Sequence, residues 1–167
     1  MSTRAQIVFT GLGLYSNDET YRLYLSCDGY PSAVLDTLKD AMARAVKQTK
    51  ENNKRFKEKR PVFTSQLCGL FIGEDTSAYG MSVRLEHETK LPFNKEVDIV
   101  TAFDIEWTYV VDLHKNEVSV FKGTYANMIV DPCIYAKQLH EEYRKDRVKT
   151  IKSQVSALKK LGLKVNK

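Results

Sequence analysis

The sequence has no long hydrophobic run. None of its 167 residues belongs to a stretch of about 18 apolar residues, so we expect no membrane-spanning helix and no membrane partner. Residues 1–10 lack the apolar core and small-residue cleavage site of a secretory signal peptide. These absences predict a cytoplasmic protein.

Cysteine is scarce as well. The three cysteines, Cys27, Cys68 and Cys133, are far apart, odd in number and form no Cys-x-x-Cys pair. This pattern argues against a disulfide framework and against a zinc site, and it fits a reducing compartment. We interpret all three as buried or half-buried thiols.

Nucleotide-binding loops are missing too. No Gly-x-x-x-x-Gly-Lys run occurs, and Gly11-Leu12-Gly13 ends a strand pattern without opening a helix. We therefore expect no cofactor.

Charge is abundant and unevenly distributed. The chain carries +5, but residues 47–60 alone carry +5 and residues 137–167 carry +7, so the remaining residues carry −7. Such a division predicts an acidic partner, or attraction between the two parts of the molecule.

Alternating hydrophobicity predicts an α+β fold with an antiparallel sheet of about five strands and helices on one face. A hairpin is indicated around a polar turn at 16–18, and a strongly amphipathic strand, with one core face and one largely solvent face, at 103–113. Further strands are predicted near 81–88 and 117–122. Gly29 permits a positive φ where the second strand of the hairpin ends.

Helical periodicity begins at Pro31 and fades after Val46 into a basic run, which is either a helical extension or a mobile loop. A short helix is predicted at 64–72, with Thr64 or Ser65 as N-cap. Asp131-Pro132 predicts the start of a C-terminal helix of 30 residues, which either breaks near 144–147 or projects.

These patterns divide the chain into an α+β domain, 1–130, and a basic C-terminal helix, 131–167, in the same domain or projecting from it. The narrow apolar stripe of the C-terminal helix can pack on the domain, on a second copy or on another partner. Monomer and homodimer both remain open.

Candidate catalytic sets are incomplete. Asp104, Glu106 and Asp112 form a possible Mg²⁺-binding set, yet an amphipathic strand carries such charges in any case, and we predict no metal site. His87-Glu88-Thr89 has the form of a phosphoesterase motif whose necessary second copy is missing. Ser2 could act as an N-terminal nucleophile if Met1 were removed, which is true of many sequences.

The remaining candidates are binding residues. Asp28 lies in a sharp turn, where a structural Asx-turn and a ligand contact are both plausible roles, with Tyr30 and Arg4 as companions. The basic segments are typical of nonspecific nucleic-acid binding, although no known recognition motif accompanies them. Their candidate contacts are Lys50, Lys54, Arg55, Lys57, Arg144, Lys145, Arg147, Lys149 and Lys152.

Three short pieces carry a resemblance. They are Ser2-Thr3-Arg4-Ala5, Asp28-Gly29-Tyr30-Pro31 and the run from Asp104 to Tyr109. Over residues 2–122 the chain resembles a loose group of small uncharacterised proteins of phages, prophages and bacteria. The resemblance implies a phage or mobile-element origin and no particular activity. Many members have a His shortly before the Asp of the turn, where this chain has Ser26 and Cys27.

The sequence therefore favours a noncatalytic binding protein, phage-encoded, that acts in the host cytoplasm on a host protein or other acidic macromolecule or captures a small ligand. A nucleic-acid-binding accessory protein and a metal-dependent phosphodiesterase are the alternatives.

Overall fold

A computed structural model describes residues 4–14, 18–25, 29–79, 83–88, 106–122, 131–137 and 141–166. Within them one sheet has the strand order β3-β2-β1-β4-β5-β6. Its strands are β1 (Ala5–Gly11), β2 (Glu19–Leu25), β3 (Val83–Glu88), β4 (Trp107–Asp112), β5 (Glu117–Lys122) and the two-residue β6 (Lys164–Val165). The helices are α1 (Pro31–Phe56), α2 (Thr64–Tyr79), α3 (Pro132–Lys137) and α4 (Glu141–Lys160). The α+β class is confirmed, with five main strands.

The sheet is mixed, so the prediction of a purely antiparallel sheet was wrong. β1 pairs antiparallel with β2 but parallel with β4, and β5 pairs parallel with β6. The parallel pair joins strands that are almost 100 residues apart in the chain, and local alternation contains no information about such partners.

The two central strands are buried on both faces. Ile7 and Tyr109 point into the main core, while Val8 and Thr108, on the opposite face, are 1% and 4% exposed. The prediction that this face of the strand around 107–112 is exposed to solvent is therefore wrong at Thr108. Strands in a parallel pair are usually covered on both sides, which explains the difference.

The helices α1, α2 and α4 pack on the face that carries Ile7 and Tyr109. A single core cluster joins these strands to Leu35 and Leu38 of α1, Phe71 of α2 and Leu158 of α4. Phe9 and Phe71 meet with ring centroids 5.5 Å apart. These three helices form one layer on that face of the sheet.

The basic run is helical through Phe56, which decides between the two alternatives for that segment. Apolar burial along α1 ends at Ala45, but the helix continues to Phe56. It is closed by Lys57, which has a left-handed conformation (φ 53°) and donates its backbone N–H to the carbonyl of Asn53.

α2 is longer than predicted and starts differently. Thr64 is its first residue, and instead of capping the helix, its hydroxyl donates to the Leu12 carbonyl (2.9 Å). The Thr64 backbone N–H donates to the same carbonyl, also at 2.9 Å. These contacts attach α2 to the chain just beyond β1.

The C-terminal helix is shorter than the 30 residues predicted. α4 has 20 residues and continues through 144–147, so the first of the two alternatives, a break there, is not observed. Residues 138–140, between α3 and α4, lie outside the described residues. Asp131 accepts a hydrogen bond from the N–H of Cys133 (2.8 Å), as expected of an N-cap.

The apolar stripe of α4 packs on its own domain, because Ile151 and Leu158 belong to the main core. Gly162 (φ 95°) ends the last turn as predicted, and β6 then adds to the sheet edge beside β5. Among the described helices, none has the length and hydrophobicity needed to cross a membrane.

Candidate binding surface

The basic end of α1 is largely exposed. Beyond Ala45 the helix has 11 more residues, equivalent to about 16 Å, that bury none of the side chains fully. We call residues 46–60, which include this helical end and the turn after it, the cationic arm. The four arm residues among the predicted contacts, Lys50, Lys54, Arg55 and Lys57, are all exposed.

Apart from Arg60, the arm's cations form no ion pair with any described residue. In the described part of the chain, the ion pair within the arm joins Arg60 to Glu58, with Nε and Oε2 2.5 Å apart. Elsewhere, Lys39 is paired with Asp36 at 2.7 Å and Lys115 with Asp112 at 3.4 Å. Six of the arm's seven cations thus form no ion pair with a described residue, and the same holds for Lys149, Lys152, Lys159 and Lys160 on α4. What distinguishes the arm is how closely its cations follow one another.

A groove lies beside the arm, between the end of α1, the following turn and the start of α2. Its volume is about 480 Å³, within the range of small-molecule sites. The apolar part of its lining comprises Leu14, Phe56, Pro61 and Phe63, and the polar part includes Thr49, Asn52, Ser65 and Gln66. Phe56 is 59% exposed.

The wall of this groove is held by a paired hydrogen bond. The Asn53 amide donates through Nδ2 to the Arg60 carbonyl and accepts from the Arg60 N–H, both at 2.9 Å. On the α2 side, Thr49 donates its hydroxyl to Gln66 Oε1 at 3.2 Å. The groove is thus formed before any ligand arrives.

The predicted contacts Tyr30, Arg4 and Arg147 lie at the other end of α1. The Arg147 guanidinium lies 4.9 Å from the centroid of the Tyr30 ring. The Arg4 carbonyl accepts the N–H of Glu106 at 3.0 Å, at the start of the sheet. Tyr30 and Lys54 are separated by about 35 Å along α1, so these residues and the arm form two different surfaces. Asp28 lies outside the described residues.

Lys149, one of the predicted basic contacts on α4, lies apart from the arm. Lys149 and Lys152 are exposed, and Lys149 borders a second groove of about 460 Å³ with Asp36 and Lys39. There the hydrogen bond from Lys39 to Asp36 raises the pKa of the Lys39 ammonium, so the cation is already satisfied internally. The side chains of Arg144 and Lys145 are outside the described set.

The candidate carboxylate set does not converge. Asp112 accepts the N–H groups of His114 (2.9 Å) and Lys115 (3.0 Å) and so stabilises a turn. Glu106 precedes the opposite end of β4, about 20 Å away, which is too far for one metal ion. Asp104 and Ser2 are outside the described residues, as are the His87 side chain and Cys27. Within the described residues no group of three metal-ligating side chains occurs.

Cys68 and Cys133 are free thiols, in buried and half-buried positions, as expected. Burial raises the pKa of the Cys68 thiol to about 12, which makes this thiol a poor nucleophile.

The sequence reasoning missed the groove. Asn52-Asn53 and the lone Phe56 within a basic run were visible signals, but the opposite wall, Pro61 to Gln66, comes from the next element. Gly29 does not use the positive φ that glycine permits, because its φ lies outside the left-handed region. Instead, a Cβ atom on Gly29 would lie 2.4 Å from the Cβ of Ala5, so the position has no space for a side chain.

Comparisons of this chain with protein-family models, with curated proteins and with solved structures found no significant match.

Proposed function

We propose that this chain is a noncatalytic binding protein that holds an acidic macromolecule against the cationic arm, and that this macromolecule is a nucleic acid. The supporting observation is the dense set of arm cations, exposed on one helical end and its turn, of which only Arg60 forms an ion pair with a described residue.

The spacing of the cations suits a polyanion. Lys47, Lys50 and Lys54 follow one another at three and four residues, so they share one face of α1. Lys57 and Lys59 extend the charge into the turn, where both are exposed. A phosphate backbone gains affinity from such a surface by releasing its counterions, without any base-specific contact.

The resemblance to proteins of phages and prophages supports a partner in a bacterial host. A host protein with an acidic surface is the competing partner, and it would lack the repeated phosphates that produce a steep salt dependence.

The test is fluorescence anisotropy of labelled DNA and RNA oligonucleotides at low and moderate salt. A variant with Lys47, Lys50, Lys54 and Arg55 all changed to Ala should bind far more weakly. Its salt slope should fall by about 0.7–0.9 for each cation that contacted a phosphate. Alanine favours helix, so α1 should persist, as circular dichroism would show.

The matched control removes four exposed lysines from α4: Lys149, Lys152, Lys159 and Lys160. It changes the net charge equally, and we expect a clearly smaller loss of affinity. Equal losses would mean that net charge, and not the arm, drives binding. Absence of binding to every oligonucleotide at low salt would contradict the proposed function.

A further inference from the structure

The groove beside the cationic arm combines features that a phosphate-binding surface does not need. A polyanion requires only exposed cations, yet here an aromatic ring, Phe56, lies 59% exposed among them. Phe63 and Pro61 continue the apolar surface into the groove, and the polar side chains of Asn52 and Ser65 lie beside it.

The Phe56 ring is already engaged in a cation–π contact. The Arg55 guanidinium lies 5.3 Å from the centroid of the ring. A planar aromatic ligand could stack on the exposed ring or on the guanidinium plane, and stacking of this kind is how single strands are held without sequence preference.

The groove also presents a fixed shape. The paired hydrogen bond between Asn53 and Arg60 closes the turn, and the Glu58–Arg60 ion pair braces the same turn. Because these contacts exist within the free chain, a ligand does not have to order this wall when it binds.

We infer that this groove receives an unpaired nucleobase of a single-stranded nucleic acid, stacked against Phe56, while the neighbouring phosphates contact Lys54, Lys57 and Lys59. This inference rests on the proposed function and names its substrate class. The bases of a duplex are already stacked and paired, so a duplex would offer the arm only its phosphates.

The experiment compares three labelled probes of equal length: a single-stranded oligothymidine, an abasic strand of the same charge, and a duplex. For the full chain, we expect tighter binding to oligothymidine than to the abasic strand. Phe56→Ala should weaken oligothymidine binding about 10-fold and leave the abasic strand and the duplex almost unchanged. Phe56→Trp should restore the affinity, since it keeps an aromatic face.

Ile134→Ala is the matched control, because Ile134 on α3 is 54% exposed and lies outside the groove lining. It should leave all three affinities unchanged. If Phe56→Ala weakens all probes equally or none of them, or if the abasic strand binds as tightly as oligothymidine, the base-stacking inference is wrong while arm-driven binding stands. If the unaltered chain binds none of the probes, the proposed function itself fails.

Discussion

At the scale of single residues, the turn before α1 depends on one close approach and one hydrogen bond. Gly29 is packed against Ala5 of β1, where any side chain would collide. The fully buried Tyr109 of β4 donates its hydroxyl to the Gly29 carbonyl at 2.8 Å. Together these contacts fix the start of α1 over the two central strands.

We therefore predict that Tyr109→Phe destabilises the protein. The change keeps the ring but leaves the Gly29 carbonyl without this donor, at a cost of about 1–3 kcal/mol. Urea unfolding followed by fluorescence measures the difference. Tyr21→Phe is the control, because the Tyr21 hydroxyl donates to Glu19 from a half-buried position and should contribute less. Equal effects of the two substitutions would contradict this assignment.

We predict that titration of the Cys68 thiol lowers the free energy of unfolding at alkaline pH. Its pKa is raised by burial from 9.0 to about 12. The unfolded chain therefore releases this proton at lower pH than the folded chain does. The stability that the protonated, buried thiol contributes is fully present below pH 9. It is lost between about pH 9 and 12, by up to about 1.4 kcal/mol per pH unit.

The free energy of unfolding measured from pH 8 to 11 tests this prediction. Cys68→Ala should show a shallower decline with pH, even if its stability at pH 8 is lower because of the lost packing. Cys133→Ala, at a half-buried position, should keep the steeper decline. An unchanged slope in Cys68→Ala would show that other groups cause the alkaline loss.

At the scale of an element, the last turn of α1 ends in a strained backbone conformation that a single substitution can relieve. Lys57 has φ 53° and ψ 39°, a left-handed conformation that glycine adopts at much lower cost. We predict that Lys57→Gly stabilises the protein by about 0.5–1 kcal/mol. Thermal unfolding would detect this as a higher Tm.

Lys59→Gly is the matched control, because it removes the same charge from the same turn. Lys59 is not among the described residues with positive φ, so glycine there should lower stability or leave it unchanged. Under the proposed function, both variants should bind nucleic acid slightly and equally more weakly. A lower Tm for Lys57→Gly would contradict the prediction.

At the scale of the whole molecule, we predict a monomer in solution. The apolar residues of α4 that could have formed a dimer seam, Ile151 and Leu158, are buried in the chain's own core. Exposed cations on each copy would also repel one another at the net charge of +5. Light scattering coupled to size exclusion should give the mass of one chain, 19.1 kDa.

A dimer would contradict this prediction. If the dimer were lost on changing Leu14 and Phe56 to Ser, the groove would be an interface between copies and not a base-binding site. Ile134→Ser, at an equally exposed apolar position, is the control for general surface hydrophobicity.

Much of the local structure could be predicted from the sequence because its causes are local. Alternation marked the hairpin of β1 and β2, and the return strand at 117–122 was predicted with the observed bounds. The cap at Asp131 and the stop at Gly162 follow from the backbone chemistry of those residue types. Exposure of the arm's charges followed from the cost of burying them.

Other predictions failed where distant segments meet. The parallel pairing of β1 with β4 depends on chain separated by almost 100 residues, and it buries Thr108, which alternation placed toward solvent. The groove needs a wall from α1 and another from the start of α2. Arg147 packs on Tyr30, far from the arm, and its role as a basic contact stays a prediction.

By itself, then, the sequence determined the α+β class, the positions of most elements and the concentration of positive charge, because hydrophobic period, capping and charge act within a few residues. Only the tertiary structure decided the order and direction of the strands, the separation of the two basic surfaces and the formation of the groove beside Phe56. Each of these depends on which distant segments pack together, and packing is specified by the complementarity of whole surfaces and not by any local pattern.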